Sequence, residues 1–377
     1  MLKFNENGKF TVMAFGDTHM DDIFSKEGQK KYNDMLALHY AALDEFSPDL
    51  CVYMGDNCRI YNLDTPAAVA DFKTRIELVT NPVRERNIPF ASVFGNHCHD
   101  YGYEKEQLGV YMSLPGCIMR NDSPEDVTGF ANYNEFIYSH DGKTPLFNLW
   151  FIDSNNLGED GVSKYDFVHK DQIEWYEKRA AEIAAANGGE VMPAFLFQHI
   201  PVPEEYELLR PAKLYELPLA TRGHSSYMDE YYMLKDGVTG YLGEGPACPD
   251  VNSGQFESWK KTGDIIGACF GHDHLNDFCG FVDGIALMQT KTAGFGCYTD
   301  GCRSGVRVIT FYENDLRHFE TKMKHFKEFG LKAKSLGPFM RTLTDRQSIN
   351  LHYAAYSAGA VAGVAAAVAG IKNLRRK

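Results

Sequence analysis

Asp17, His19, Asp56, Asn96, His199, His272 and His274 share two properties: each carries an oxygen or imidazole donor, and each stands just past the end of a short apolar run. No thiolate is among them. Imidazole favours the borderline transition metals, so the mixture suits Mn, Fe or Zn better than Ca or Mg. Seven donors exceed the needs of one tetrahedral ion. Two transition-metal ions sharing one carboxylate would use them all, at the separation of about 3.5–4 Å found in two-metal hydrolases. The Asp17-x-His19 and His272-x-His274 spacings suit this, because alternate residues on an extended segment point the same way. Taken singly, each motif has an ordinary explanation. Gly55-Asp56 and Gly95-Asn96-His97 are common turn chemistry, and His199 alone reads as a satisfied core histidine. The argument for a site is the coincidence of five apolar runs that all end in such residues.

Those runs are FTVMAF (10–15), LCVYM (50–54), PFASVF (89–94), PAFLF (193–197) and IIGACF (265–270), with a sixth, LFNLWFI (146–152), ending in Asp153. Each is too short for a helix and rich in β-branched or aromatic residues, which predicts strands buried on both faces. Helical periodicity falls between them. Tyr32, Leu36, Leu43 and Phe46 share a face over 29–46, and Thr65-Pro66 opens a second helix carrying Val69, Phe72, Ile76 and Val79. A third runs from 170 through Ile173, Tyr176, Ala180 and Ile183 to a stop at Asn187-Gly188-Gly189. Later strands are expected at 285–289 and 306–311. The alternation predicts an α/β fold, whose sites lie past the carboxyl ends of its strands. Two long excursions, 101–144 and 203–262, are rich in Tyr, Gly and Pro, and are expected to wall a substrate cleft. The expected organisation is one catalytic domain over 1–345 and an Ala/Gly-rich helical tail over 346–377.

The chain has 377 residues, 44% hydrophobic and 24% charged, which excludes disorder for its bulk. Its net charge of −13 opposes any partner held through a phosphate backbone, so nucleic acid is not expected. The nine cysteines contain no CxxC pair and most read as small buried hydrophobes in a reducing compartment, and residues 1–9 contain no apolar stretch of signal-peptide length. A cytoplasmic protein is the expectation. In the tail, the uncharged AAYSAGAVAGVAAAVAGI (354–371) precedes Lys372, Arg375, Arg376 and Lys377, and Gly359 and Gly363 are four apart. Two readings stay open for it: a packed or self-associating helix, and a membrane anchor just short of the roughly 20 residues that span a bilayer.

Taken in order, Asp17-x-His19, Gly55-Asp56, Gly95-Asn96-His97, His199 and Gly271-His272-Asp273-His274 resemble the calcineurin-like metallophosphoesterases. The flanking segments FNLWFIDSNN, QHIPVPE, NSGQFESW, GHDHLNDFCG and AGFGCYTDGCRSGVRV are similar to the purple-acid-phosphatase-related branch. The likeness spans roughly 10–311. It lacks the tyrosine ligand of the purple enzymes, because Arg59 stands three residues after Asp56. The resemblance implies a β-sandwich of two mixed sheets flanked by helices. It implies one ion held by Asp17, His19, Asp56 and His274, a second held by Asp56, Asn96, His199 and His272, and His97 as the catalytic histidine. The implied activity is hydrolysis of phosphate monoesters, on a small phosphorylated molecule or a phosphoprotein, by water activated between the ions. A phosphodiesterase or nuclease of the same superfamily is the alternative, and an inactive metal-binding interaction protein is the non-enzymatic one. Many relatives carry an acidic residue directly after Gly-Asn-His, whereas here Cys98 and His99 precede Asp100. Asp100 must therefore reach His97 from a shifted position, and Cys98 is open between a buried thiol and a ligand. Arg303 and His224 are open between substrate contact and structural roles, and Asp153 reads as a strand-end cap.

Overall fold

An apolar run buried on both faces needs a layer on each side of its sheet. The computed structural model, which describes residues 1–59, 65–159, 161–338, 340, 341, 343 and 345–374, supplies both layers. One sheet has the order β1-β5-β6-β7-β11-β13-β12, from strands Leu2–Lys3, Tyr133–Tyr138, Pro145–Phe151, Ala194–Gln198, Ile265–Phe270, Ile285–Gln289 and Cys279–Val282 respectively. The other has the order β15-β14-β2-β3-β4, from Asp315–His325, Gly305–Tyr312, Lys9–Phe15, Leu50–Tyr53 and Phe90–Ser92. Both sheets are mixed. Within them β2, β3 and β4 run parallel, as do β6, β7, β11 and β13.

The alternation along β7 shows why its run is unbroken. Phe195 faces Phe311 of the opposite sheet, with ring centroids 5.4 Å apart, and Phe147 meets the same ring at 4.7 Å. Ala194 and Leu196 point the other way, into a second cluster with Tyr176 and Ile183 of α4 (Lys170–Ala186) and Phe256 and Trp259 of α5 (Gln255–Thr262). The outer face of the five-stranded sheet is covered in the same manner. Met35 and Leu38 of α1 (Lys26–Phe46) and Phe72 and Ile76 of α2 (Thr65–Glu85) pack with Met13 and Phe15. The expected sandwich of two mixed sheets between helices is thus the fold.

Helix α1 starts three residues before the periodic face, because Ser25 accepts a hydrogen bond from the Gly28 N–H at its N-cap. Helix α2 includes Thr65 in its first turn, and the cap position before it lies outside the described residues. The excursions carry structure that periodicity does not reveal. The first holds α3 (Glu104–Met112) and β5, and the second holds a small sheet of order β8-β10-β9 (Leu209–Pro211, Tyr231–Leu234, Thr221–Arg222). Strand β15, DLRHFETKMKH, is an edge strand with no buried residue and no apolar run to announce it. The tail forms α6 (Asp345–Leu374), on which Tyr353, Tyr356, Val361 and Val364 are exposed. Among the described residues, no helix is long and apolar enough to cross a membrane. The side chains of 365–377, where much of the expected apolar stretch falls, lie outside the description.

Candidate metal centre

Parallel strands bring their carboxyl ends to one edge, and here the edges of the two sheets are tied together. Gly16 bridges to Thr292, Ala293 N–H donates to Gly16 O at 2.6 Å, and the Thr292 hydroxyl donates to Asp17 O at 2.7 Å. The loops after β2, β3, β4, β7 and β11 therefore converge, and all seven donors come together. Four of them turn sharply off their strands. Asp17, His19, Asp56 and His272 have φ of 37°, 43°, 47° and 71°, a conformation that costs a non-glycine residue on the order of 1–3 kcal/mol. The neighbouring glycines are required by contact. A Cβ on Gly55 would lie 2.5 Å from His199 Nδ1, and one on Gly95 would lie 2.3 Å from Asp56 Oδ1.

Asp56 stands between two groups of donors. Its Oδ1 accepts the His97 backbone N–H at 3.0 Å, and its Oδ2 lies 3.3 Å from His199 Nε2 and 3.9 Å from His19 Nε2. Asp17 Oδ1 is 3.8 Å from both His199 Nε2 and His274 Nε2. His19 Nε2 and His274 Nε2 are 3.1 Å apart, and Asn96 Oδ1 is 3.2 Å from His199 Nε2. His199 donates its Nδ1–H to Met54 O at 2.6 Å and His274 donates its own to Tyr298 O at 2.9 Å. Such outer contacts aim Nε2 at the centre and fix the ring.

The charges also ask for cations. Burial pushes the Asp17 carboxyl up to about 8, against the pull of His199 and with a push from Asp56. Burial acts on Asp56 too, but the charge and hydrogen bond of His199, followed by His19, hold it well below the usual carboxylate range. His199 is raised to about 9, because Asp56 and Asp17 outweigh its burial. Burial holds His19 and His272 well below the ordinary imidazole value and lowers His274 to about 4, which favours the neutral form a metal ligand needs. His272 Nε2 is buried with no hydrogen-bond partner. An unpaired buried acceptor costs stability unless something electropositive meets it, and the donor set fits a pair of metal ions.

Binding ions there displaces the protons on Asp17 and His199. Affinity for zinc or manganese should therefore rise with pH, by about tenfold per displaced proton for each pH unit below the titration of these groups. Metal titrations from about pH 6 to pH 8 check this, and a pH-independent affinity would contradict it.

Above the donors lies a cavity of about 270 Å³, floored by His19, Asp56, Asn96, His97, His272 and His274. The second excursion walls it as expected, through Arg222, His224 and Glu244. The first does not, since no lining residue falls in 101–144; its place is taken by Leu157 and Tyr165 of the loop after β6. Tyr165 sets its ring edge against His272 at 4.4 Å and stacks on His224 at 5.7 Å, and His224 Nε2 accepts from Lys164 Nζ at 2.9 Å.

The residues around His97 have distinct places. Asp100 Oδ2 takes the His97 Nδ1–H at 2.9 Å from its shifted position, and Arg59 Nη2 donates to His97 Nε2 at 2.8 Å. Cys98 is a buried thiol whose Sγ accepts the Gly95 N–H at 3.4 Å, which makes it part of the turn. His99 bridges Asp153 at 3.0 Å and Glu104 at 3.1 Å. These two carboxylates, Asp153 foremost, overcome burial and raise the His99 ring to about 10. Asp153 also accepts the Phe130 and Asn155 N–H groups, as a strand-end cap should. Arg303 lies over the Tyr241 ring, 3.6 Å from both Asp277 and Asp300, in a structural network outside the cavity lining. Sequence reasoning passed over Tyr165, Tyr298 and Cys297. Tyr165 belongs to no motif, Cys297 and Tyr298 fall in the resembling segment AGFGCYTDGCRSGVRV without a spacing that marks a donor, and the lining of the cavity brings all three to the centre.

The family described as calcineurin-like phosphoesterase matches residues 10–276. The Arabidopsis thaliana protein named probable inactive purple acid phosphatase 14 is 29% identical, over 82% of this chain and 76% of its own length. Phosphatase DCR2 of Saccharomyces cerevisiae is 26% identical, over 74% of this chain and 46% of its own. Among solved structures, a dimetal phosphatase from Danio rerio aligns with 84% of this chain and 99% of its own at 12% identity, with a TM-score of 0.45.

Proposed function

Because the chain belongs to the calcineurin-like phosphoesterase family, we propose that it is a dinuclear metal-dependent phosphatase acting on phosphate monoesters. The observation that carries the reading is the placement of Asp56, whose carboxylate lies between two histidine groups beneath a cavity rimmed by His97. One ion is assigned to Asp17, His19, Asp56 and His274, and the other to Asp56, Asn96, His199 and His272. When bound, such a pair supplies Lewis acidity toward phosphoryl oxygens and water.

The chain's own groups do the rest. Asp100 fixes the His97 ring through Nδ1, so that Nε2 faces the cavity and can hold the proton that a departing alkoxide takes. Arg59 contacts the same Nε2 in the free protein, and must give way for that proton to reach the leaving oxygen. A guanidinium and an imidazole beside the ions match a dianionic phosphate head better than the monoanion of a diester, and the net charge of −13 disfavours a nucleic acid. The Arabidopsis thaliana relative's name includes the word inactive, whereas the catalytic reading here rests on this chain's complete donor set.

Metal analysis of the purified chain, followed by turnover of p-nitrophenyl phosphate and bis(p-nitrophenyl) phosphate with Mn, Fe or Zn supplied in turn, tests the proposal. Two ions per chain and metal-dependent turnover favouring the monoester are expected. Faster turnover of the bis-ester would indicate a diesterase. Two bound ions without turnover of either ester would leave a metal-binding protein that is not an enzyme.

A further inference from the structure

We propose that Cys297 is a fifth donor to the ion assigned to Asp17, His19, Asp56 and His274, which makes that position a thiolate-containing site that prefers zinc to manganese. This rests on the ligand assignment above and adds a residue to it. The Cys297 Sγ and one ring nitrogen each of His19 and His274 all lie within 4.8 Å of one another. Metal bonds of about 2.3 Å to sulfur and 2.0–2.1 Å to nitrogen place neighbouring donors on a five-coordinate ion roughly 3.0–3.6 Å apart. The two histidines, at 3.1 Å, already have that spacing, and the Cys297 side chain must move toward them when the ion binds.

The segment around Cys297 is built onto these two histidines. A Cβ on Gly294 would fall 2.3 Å from Thr18 O, and one on Gly296 would fall 1.7 Å from His19 O, so the backbone just before Cys297 lies directly on the His19 loop. On its other side, Tyr298 accepts the His274 Nδ1–H through its carbonyl and stacks its ring on His274, with centroids 4.1 Å apart. Both flanks of the thiol are thereby held against residues it would join at the ion. Among the nine cysteines Cys297 is the exposed one, and it lines the cavity.

Coordination breaks the S–H bond, releases the proton to solvent and forms a sulfur–metal bond, with no oxidant or reductant required. Thiolate is a soft donor that selects zinc and similar ions over manganese and magnesium. The seven oxygen and imidazole donors alone would discriminate less.

The full-length chain loaded with cobalt(II) provides the test. A thiolate-to-cobalt charge-transfer band in the near ultraviolet is expected from the wild-type chain. It should vanish in Cys297→Ser while both cobalt ions remain bound, and persist in Cys279→Ser, which alters a half-buried thiol on β12. Alkylation of wild-type Cys297 by iodoacetamide, followed by peptide mass, should slow at least about tenfold when zinc is bound, a protection on the scale by which single contacts tune metal sites. Two bound cobalt ions without the band, a band that survives Cys297→Ser, or an alkylation rate unchanged by zinc would each overturn the thiolate while leaving the dinuclear assignment in place. A chain that takes up no metal would overturn that assignment, and this one with it.

Discussion

Asp56→Asn should release both ions and take phosphomonoester hydrolysis to near background. Asp56 is 3% exposed, and among the described residues it is the single carboxylate within 4 Å of both His19 and His199. An amide of the same shape keeps one neutral oxygen and replaces the other with an N–H₂ donor, which repels a cation where the carboxylate attracts one. The Oδ1 position also receives the His97 backbone N–H, so the substitution leaves that bond with a neutral acceptor in place of a charged one. Metal ions supply several kcal/mol of transition-state charge stabilisation, and at about 1.4 kcal/mol per factor of ten their loss corresponds to roughly three orders of magnitude in rate or more. Metal content by elemental analysis and turnover should fall together, with circular dichroism showing that the chain still folds. Two retained ions with near-normal turnover would remove Asp56 from the shared position.

His97→Ala should separate the two quantities that Asp56→Asn couples. Its side chain is absent from the donor set, so both ions should stay, while the rate falls by about 10² to 10⁴, the usual worth of a positioned general acid. The loss depends on the leaving group. A p-nitrophenolate departs without protonation, whereas an alkoxide needs the proton, so the deficit should be larger for an alkyl phosphate than for the nitrophenyl ester. An equal deficit for both would mean that His97 stabilises charge on the phosphoryl group. Asp100→Asn should give a smaller loss of the same kind, because it disturbs only the partner of Nδ1. An unchanged rate in His97→Ala would take the ring out of the reaction altogether.

How much of this was legible beforehand follows from what a local sequence can encode. The strands that carry the donors were readable because each is covered on two sides, and two-sided burial writes itself as an unbroken apolar run such as PAFLF or IIGACF. The edge strand β15 and the small sheet in the second excursion are covered on one side or neither, and their sequences carry no comparable pattern. Asp17, His19, Asp56, Asn96, His199, His272 and His274 were readable because parallel strands deliver their carboxyl ends to one edge whatever the loops do. A donor just past such an end is already placed to within a turn.

The buried strands, the family resemblance and the position of the seven side chains just past the strand ends all depend on spacing within about ten residues, and the amino-acid sequence carries them for that reason. What stands around them comes from contacts between distant segments. Arg59 reaches His97 across 38 positions of sequence and Tyr165 meets His272 across more than 100. Cys297 and Tyr298 close on His19 and His274 because Gly294 and Gly296 let one loop lie on another. Side-chain periodicity is a property of one strand or one helix, whereas contacts between loops are set by where separate elements stop and how closely their backbones approach. No period in the chain records that distance.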